Sequence, residues 1–297
     1  MTSDAGELPE AIAAGAWAER ARVALRATRP CGAALLALRG RAGAAAEEGD
    51  QLKTAIDLAA EGWVAGYLLG SFPGDAVLGE EGYERGGGTW DLPAAFWTVD
   101  ALDGTRSFVE GFPGFCVQAA WIQAGAVRVG VVCEPVADAV YLAAERCGAW
   151  KQVGAGPWSR LSIADARGGW PAAPRFVDST PPAGPVGELV ARHGGVFVEC
   201  GSIGLKICRV ADGSAHVFAK RLRFKLWDVA PGELVLAEAG GSLGVWSGRP
   251  IDYGGRTIYY QDLLAAGSSL FAAAAAELRP AAETDGPGSA SVPRTSS

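Results

Sequence analysis

Apolar residues recur at helical spacing in some blocks of the chain and as short bounded runs in others, which predicts a mixed fold of helices and strands. From Pro9 to about Leu38 the chain is rich in Ala, Leu and Arg and reads as one or two helices. Gly40 to Gly49 is Gly/Ala-rich and ends acidic, the composition of a flexible stretch. Ile56, Ala60, Trp63 and Tyr67 then recur at helical spacing, which sets Asp57 at a loop–helix junction. Ala76-Val77-Leu78 reads as a strand ending in the polar loop Gly79-Glu80-Glu81-Gly82, and Phe96 to Val99 repeats that design before Asp100. Between Cys116 and Trp150, apolar runs broken at Ala124-Gly125, Pro135 to Asp138 and Cys147-Gly148 predict an antiparallel meander.

Trp158 to Pro185 carries many Pro and Gly residues and reads as the passage between two halves of the fold. On this reading, residues 1–165 form an N-terminal α+β half with an antiparallel sheet, and residues 166–278 a C-terminal αβα half. Helices are expected over Ile203–Val210, Val229–Ala239 and about Leu270–Leu278, with Gly240-Gly241 as a stop and Leu243–Trp246 as a strand. The tail, 279–297, is dominated by Pro, Gly, Ser, Thr and Ala and should stay disordered.

With 297 residues, 49% of them hydrophobic, the chain can bury a sizeable core. No apolar run approaches the ~20 residues that span a bilayer. The start MTSDAGELPE lacks the basic-then-apolar order of a secretory signal, so the expected location is cytoplasmic, away from membranes. Six cysteines never take C-x-x-C spacing and read as small buried side chains. The only histidines, His193 and His216, supply poorly either a histidine metal site or a Ser-His-Asp hydrolase, so a catalytic metal must rely on oxygen ligands. A net charge of −7 without a Lys/Arg run argues against a nucleic-acid polymer as partner. One phosphate group can still be held where metal ions or backbone N–H groups offset the local charge.

The segment from Trp97 to Phe108 is the most informative. Asp100 and Asp103 stand three residues apart on a turn after an apolar strand, and Gly104-Thr105 follow at what reads as a helix N-terminus. Hard cations and phosphate can both be held there, although taken alone the pattern fits an ordinary Asp-rich turn with a Thr cap better. Glu80 ends an earlier strand, Asp57 opens an earlier helix and Asp228 follows Trp227 near a later helix start. Singly, each reads as a solvated acid or a cap. Arg221, Arg223 and Lys225 form a local basic patch just before Asp228, either a solvated face or a contact for a substrate anion.

Taken in order, Thr54-Ala55-Ile56-Asp57, Gly79-Glu80-Glu81, Asp100-Ala101-Leu102-Asp103-Gly104-Thr105, Trp227-Asp228 through Gly232, and Glu238-Ala239-Gly240-Gly241 resemble the motifs of the inositol-monophosphatase-like superfamily. The likeness runs from about Thr54 to Leu243. It implies an α+β fold, a layered αβαβα sandwich, acting as a Mg²⁺-dependent phosphatase on a small phosphorylated metabolite. By position, Glu80, Asp100, Asp103, Asp228 and the Leu102 carbonyl would ligate Mg²⁺. Asp57 and Thr105, working beside Glu80, would orient or deprotonate the attacking water, and the N–H groups of Gly104 and Thr105 would bind phosphate. The resemblance is also compatible with a homodimer. Elementary electrostatics agrees, since clustered carboxylates repel unless divalent cations compensate them.

Three positions depart from the pattern. Ala101 stands where the family usually has Pro, His216 where relatives often carry Asp, and the Thr54 loop lacks the common Pro-Val. The basic residue in Asp103-Gly104-Thr105-Arg106 and the Lys225-Leu226-Trp227-Asp228 run look more like the bisphosphate-nucleotidase and histidinol-phosphatase branches than the inositol branch. A 3'(2'),5'-bisphosphate nucleotidase therefore ranks ahead of inositol-phosphate, histidinol-phosphate or sugar-phosphate hydrolysis. On that reading Arg106 and Lys225 are the substrate-binding cations, and one of them contacts the second phosphate. The reading from another class, a non-catalytic phosphometabolite-binding protein, is disfavoured because every expected acid is present.

Overall fold

The computed structural model describes residues 8–42, 49–88, 90–112, 114–163, 169–179, 184–221, 223–254, 259–260 and 262–279. The Ala-rich opening forms a short helix α1 (Glu10–Ala13) and a long helix α2 (Ala18–Ala42) that continues through Pro30. Most of the Gly40–Gly49 stretch lies outside the described residues. Helix α3 (Gly49–Ser71) begins well before Asp57, so that acid sits in the helix body and not at a junction. The expected apolar face is also rotated: Trp63 is 52% exposed and Tyr67 is exposed, while Asp57, Ala60, Glu61, Val64 and Leu68 are buried. Two acids share the inward stripe, which is why apolar spacing alone assigns the wrong phase.

Strand β1 (Val77–Gly79) leads into a short helix, α4 (Glu80–Arg85), where a polar loop was expected. Its first turn is satisfied from outside. The Glu61 carboxylate accepts the N–H groups of Glu81 and Gly82, each at 2.8 Å, and so supplies the cap that the local sequence lacks. Then follow β2 (Ala95–Asp103), α5 (Thr105–Glu110), β3 (Cys116–Gln123), β4 (Ala126–Glu134), β5 (Ala139–Ala144), β6 (Ala149–Val153) and β7 (Ser159–Arg160). These seven strands make one sheet in sequence order, with β1 and β2 parallel and the rest antiparallel, as the meander reading requires.

The later chain runs β8 (Arg175–Asp178), α6 (Gly184–His193), β9 (Val196–Glu199), α7 (Ile203–Ala211), β10 (Val217–Lys220), β11 (Phe224–Lys225) and α8 (Leu226–Glu238). It ends with β12 (Gly241–Gly244), β13 (Tyr259–Tyr260), β14 (Leu263–Gly267) and α9 (Ser268–Leu278). A second sheet has the order β12-β14-β10-β8-β9, and β11 pairs with β13 beside it. Gly240 ends α8 as expected, but the strand after it starts at once at Gly241. Of the expected disordered tail, Arg279 is fixed by its guanidinium on the Trp246 and Ser247 carbonyls, and 280–297 lie outside the described residues.

Strand alternation sorts the core into layers. In β2 and β3, Trp97, Val99, Val117 and Trp121 face α2 and α3, where Leu25, Val64 and Leu68 meet them. Phe96, Ala120 and Ile122 face the other way, onto Leu205, Trp227 and Val229 of α7 and α8. The same pair of helices meets Val177, Phe218 and Ala265 of the second sheet. That sheet's far face, with Phe176, Val217 and Ala219, is covered by α6 and α9. The result is the αβαβα sandwich. Each fully buried side chain of this size stabilises by about 1.5–3 kcal/mol, and since β2 is buried on both faces a one-residue slip would send several at once into the wrong layer. Helix α8 approaches at backbone distance: a Cβ on Gly130 of β4 would lie 2.4 Å from the Pro231 carbonyl oxygen.

Candidate active site

The end of β2 carries the chemistry. Its ladder with β3 is interrupted between Asp100 and Asp103, which lets both carboxylates leave the regular alternation. Asp100 Oδ1 accepts the Leu102 N–H at 3.0 Å, and the Thr105 hydroxyl donates to the Leu102 carbonyl at 3.1 Å. Gly104 takes a left-handed φ of 88°, and a Cβ there would sit 2.6 Å from the Gly114 carbonyl oxygen. Only glycine serves at this turn.

Two other elements bring acids to the same place. Glu80 is the first residue of α4, and Asp228 lies in the first turn of α8, where Oδ2 accepts the Lys225 N–H at 2.7 Å. One oxygen from each of Glu80, Asp100 and Asp228 lies within 4.8 Å of the others. Their electrostatics is adverse. Burial raises Asp100 well above the usual carboxylate range, and Asp103, Glu80 and Asp228 add to the rise. Asp228 is pushed up to about 8, first by burial and then by Asp103. An all-oxygen donor set held together against its own repulsion fits a hard divalent cation. The trio's Glu80 and Asp100 line a cavity of about 350 Å³ together with Asp57, Glu61, Glu81, Leu102 and Thr105.

Asp103 stands beside this trio. Its Oδ2 accepts from the Ser202 hydroxyl at 2.6 Å, the Gly204 N–H at 2.9 Å and Gln118 Nε2 at 3.1 Å. It thus fastens the N-terminus of α7 to the end of β2. Burial still raises its pKa against those donors. Asp57 and Thr105 line the same cavity, but the Thr105 hydroxyl bonds to Leu102. The side chain of Thr54 lies outside the described residues.

The basic residues separate. Lys225 Nζ lies 2.5 Å from Glu80 Oε1 and 3.2 Å from Glu84 Oε1, at the metal-suited acids. Burial works against its charge, but these two partners hold its pKa above the ordinary lysine range. Arg106, in contrast, has a side chain 82% exposed and paired with Glu110 at 2.8 Å. It belongs to a second cavity of about 390 Å³, which it shares with Gly104, Ser179, Glu199 and Gly201. Arg221 stacks over the Trp246 ring, its guanidinium carbon 4.6 Å from the centroid. His216 is structural here: Nδ1 accepts the Arg175 N–H at 2.9 Å.

Two groups escape the sequence reading. Glu61, one turn after Asp57 on α3, anchors α4 and explains Gly79, where a Cβ would fall 2.3 Å from the Glu61 carboxyl carbon. The i, i+4 spacing of Asp57 and Glu61 was the available signal. Lys206 on α7 is fully buried; its Nζ donates to Ser179 Oγ at 2.9 Å and lies 3.3 Å from Asp178 Oδ1. Lys220 approaches the same oxygen at 3.2 Å. Burial and Lys220 lower the Lys206 pKa. Ser179 joins this cationic pair to the wall of the second cavity. No run of basic residues in the sequence marks it, because β10, α7 and the end of β8 contribute one group each.

Residues 16–283 match the family model described as the inositol monophosphatase family. The 3'(2'),5'-bisphosphate nucleotidase CysQ of Escherichia coli is 34% identical over 204 residues, covering 67% of this chain and 78% of that protein. Inositol monophosphatase 3 of Solanum lycopersicum is 31% identical over 212 residues, covering 70% and 78%. The crystal structure of CysQ from Bacteroides thetaiotaomicron superposes with a TM-score of 0.67 at 26% identity, covering 84% of this chain and 97% of that one. The interrupted strand end, the convergent acids and these likenesses agree, and the chain belongs to the inositol monophosphatase family of phosphoric monoester hydrolases.

Proposed function

We propose that this chain hydrolyses a small, soluble phosphate monoester with Mg²⁺, and that its preferred substrate is a 3'(2'),5'-bisphosphate nucleotide in the cytoplasm. The convergence of Glu80, Asp100 and Asp228 within 4.8 Å carries the first part. These three, the Leu102 carbonyl and Asp103 are the residues to hold Mg²⁺, with Asp103 also tying α7 in position. Bound Mg²⁺ supplies an activated water and neutralises charge on the phosphoryl oxygens. The chain's own part is orientation and proton handling. Thr105, its hydroxyl pinned by Leu102, and Asp57 flank the cavity from α5 and α3, where they align the attacking water and accept its proton. The N–H groups of Gly104 and Thr105 receive the phosphate oxygens.

Substrate choice rests on the second cavity. Gly104 lines it and Thr105 lines the acidic one, so a phosphate bound at this turn sits between the two cavities, with Arg106, Ser107 and Ser179 on the wall of the second. The Arg106 guanidinium suits a second phosphate better than an inositol ring. Of the two cations read for a second phosphate, Arg106 lines this cavity, whereas Lys225 lies against Glu80 and Glu84 beside the acidic one. The likeness to CysQ supports the same order. The test is a panel of 3'-phosphoadenosine 5'-phosphate, inositol 1-phosphate, histidinol phosphate and sugar phosphates, each with Mg²⁺ and with chelator. Preference for a singly phosphorylated substrate would overturn the nucleotide reading, and Mg²⁺-independent or absent turnover the hydrolytic mechanism.

A further inference from the structure

We infer that Lys225 is a built-in counter-ion of the metal site, sharing Glu80 with the divalent ion and thereby setting how tightly that ion is held. The inference rests on the reading of Glu80, Asp100 and Asp228 as metal ligands. Lys225 is unusually placed for this. Its backbone is fixed by pairing with Tyr259 across β11 and β13, and its N–H donates to Asp228 Oδ2 at 2.7 Å. Its ammonium reaches across to α4 and lies 2.5 Å from Glu80 Oε1. One residue therefore grips two of the three acids, one through the main chain and one through the side chain.

The charges make this consequential. Glu80, Asp100 and Asp228 bring three negative charges when ionised, and Lys225 already returns one positive charge to them. A divalent ion drawing on Glu80 meets that ammonium at close range, in a setting where only 20% of the lysine side chain is exposed and screening is weak. Glu84, one turn along α4, 3.2 Å from Nζ and with its side chain 59% exposed, offers a second anchor outside the trio. Lys225 thus has two carboxylates to choose between, and its turn toward Glu84 releases Glu80 to the metal. The device keeps the acids compact before metal arrives and weakens the metal's hold once it is bound.

Calorimetric titration of the full chain with Mg²⁺, and with Mn²⁺ as a second probe, tests this beside thermal melts in excess chelator. Lys225→Met should bind Mg²⁺ about tenfold more tightly, the order expected for removing a unit charge several ångström from a divalent ion in a partly hydrated site. The same variant should melt lower than the unaltered protein in chelator, whereas Lys225→Arg should keep both values close to it. Unchanged or weaker Mg²⁺ binding by a folded Lys225→Met protein would overturn the inference. Should that variant fail to fold, Glu84→Gln decides. Removing the second anchor should weaken Mg²⁺ binding more than Glu81→Gln, which takes the same charge from the same cavity wall, and equal weakening would defeat the competition. Absence of any divalent binding by the unaltered protein would instead defeat the metal-site reading beneath it.

Discussion

Replacing Asp100 with Asn exchanges one oxygen for an amide nitrogen and removes a charge from the most crowded point of the site, so activity and stability should move in opposite directions. The Leu102 N–H keeps its acceptor, because the Asn carbonyl can take the place of Oδ1. What is lost is like-charge repulsion. At 4.8 Å two full charges repel by about 3.5 kcal/mol with an effective dielectric near 20. Burial and its neighbours already disfavour the charged form of Asp100, so the realisable gain is smaller, about 1–3 kcal/mol. For a chain of this size that corresponds to a rise of about 2–5 °C in Tm, measured by calorimetry in excess chelator. Hydrolysis with saturating Mg²⁺ should fall at least ~10²-fold, because a direct ligand is lost. The stabilising effect of Mg²⁺ on Tm should shrink as well. A variant that melts lower in chelator with native circular dichroism would refute the repulsion argument, and one retaining full activity would remove Asp100 from the metal site.

Three shorter predictions follow from the same geometry. Thr105→Ala should lower kcat by roughly 10²-fold with little change in Mg²⁺ affinity, measured by steady-state kinetics and titration, if its hydroxyl aligns the attacking water. In chelator, Tm should fall as pH rises from 5 to 8. Asp228 binds its proton more tightly in the fold, up to about 8, than the ~3.9 of an unfolded Asp, so its favourable contribution is full at low pH and is lost as pH rises through the folded value. Saturating Mg²⁺ should flatten that slope, and a flat profile in chelator would contradict the crowding of the acids. Arg106→Ala should raise KM about tenfold for a bisphosphorylated nucleotide and leave a singly phosphorylated substrate nearly unaffected, since one charge-assisted contact of ~1.5 kcal/mol is removed.

The sequence was most legible where the chemistry demands a fixed spacing. Asp100, Asp103, Gly104 and Thr105 lie within six residues because one strand end and one left-handed glycine must present them together, and that constraint is local. The meander from Cys116 to Trp150 was legible for a related reason: turn residues separate its apolar runs, of which β3 and β5 are buried on both faces. What the sequence hid depends on partners distant along the chain. The inward stripe of α3 includes Asp57 and Glu61, so no hydrophobic period marks it. Helix α4 looks like a polar loop because its cap, Glu61, lies some twenty residues earlier. Lys206 and Lys220 look like scattered charges until β8, α7 and β10 come together around Asp178.

Asp103 shows why the fold and the site cannot be separated. A carboxylate at the end of the first sheet accepts three hydrogen bonds, two of them from Ser202 and Gly204 at the start of α7. Helix α7 lies between the two sheets and carries buried Lys206 to Ser179, behind the wall of the second cavity. Asp228 arrives on α8, the other helix of that middle layer, whose backbone presses against Gly130 of the first sheet. The relative position of the acidic cavity and the Lys206–Lys220 pair is therefore set by the same helices that fill the centre of the sandwich. A shift in that layer moves Asp228 and Lys206 together against Asp100, so changes in core packing far from the acids should act on substrate geometry as well as on stability.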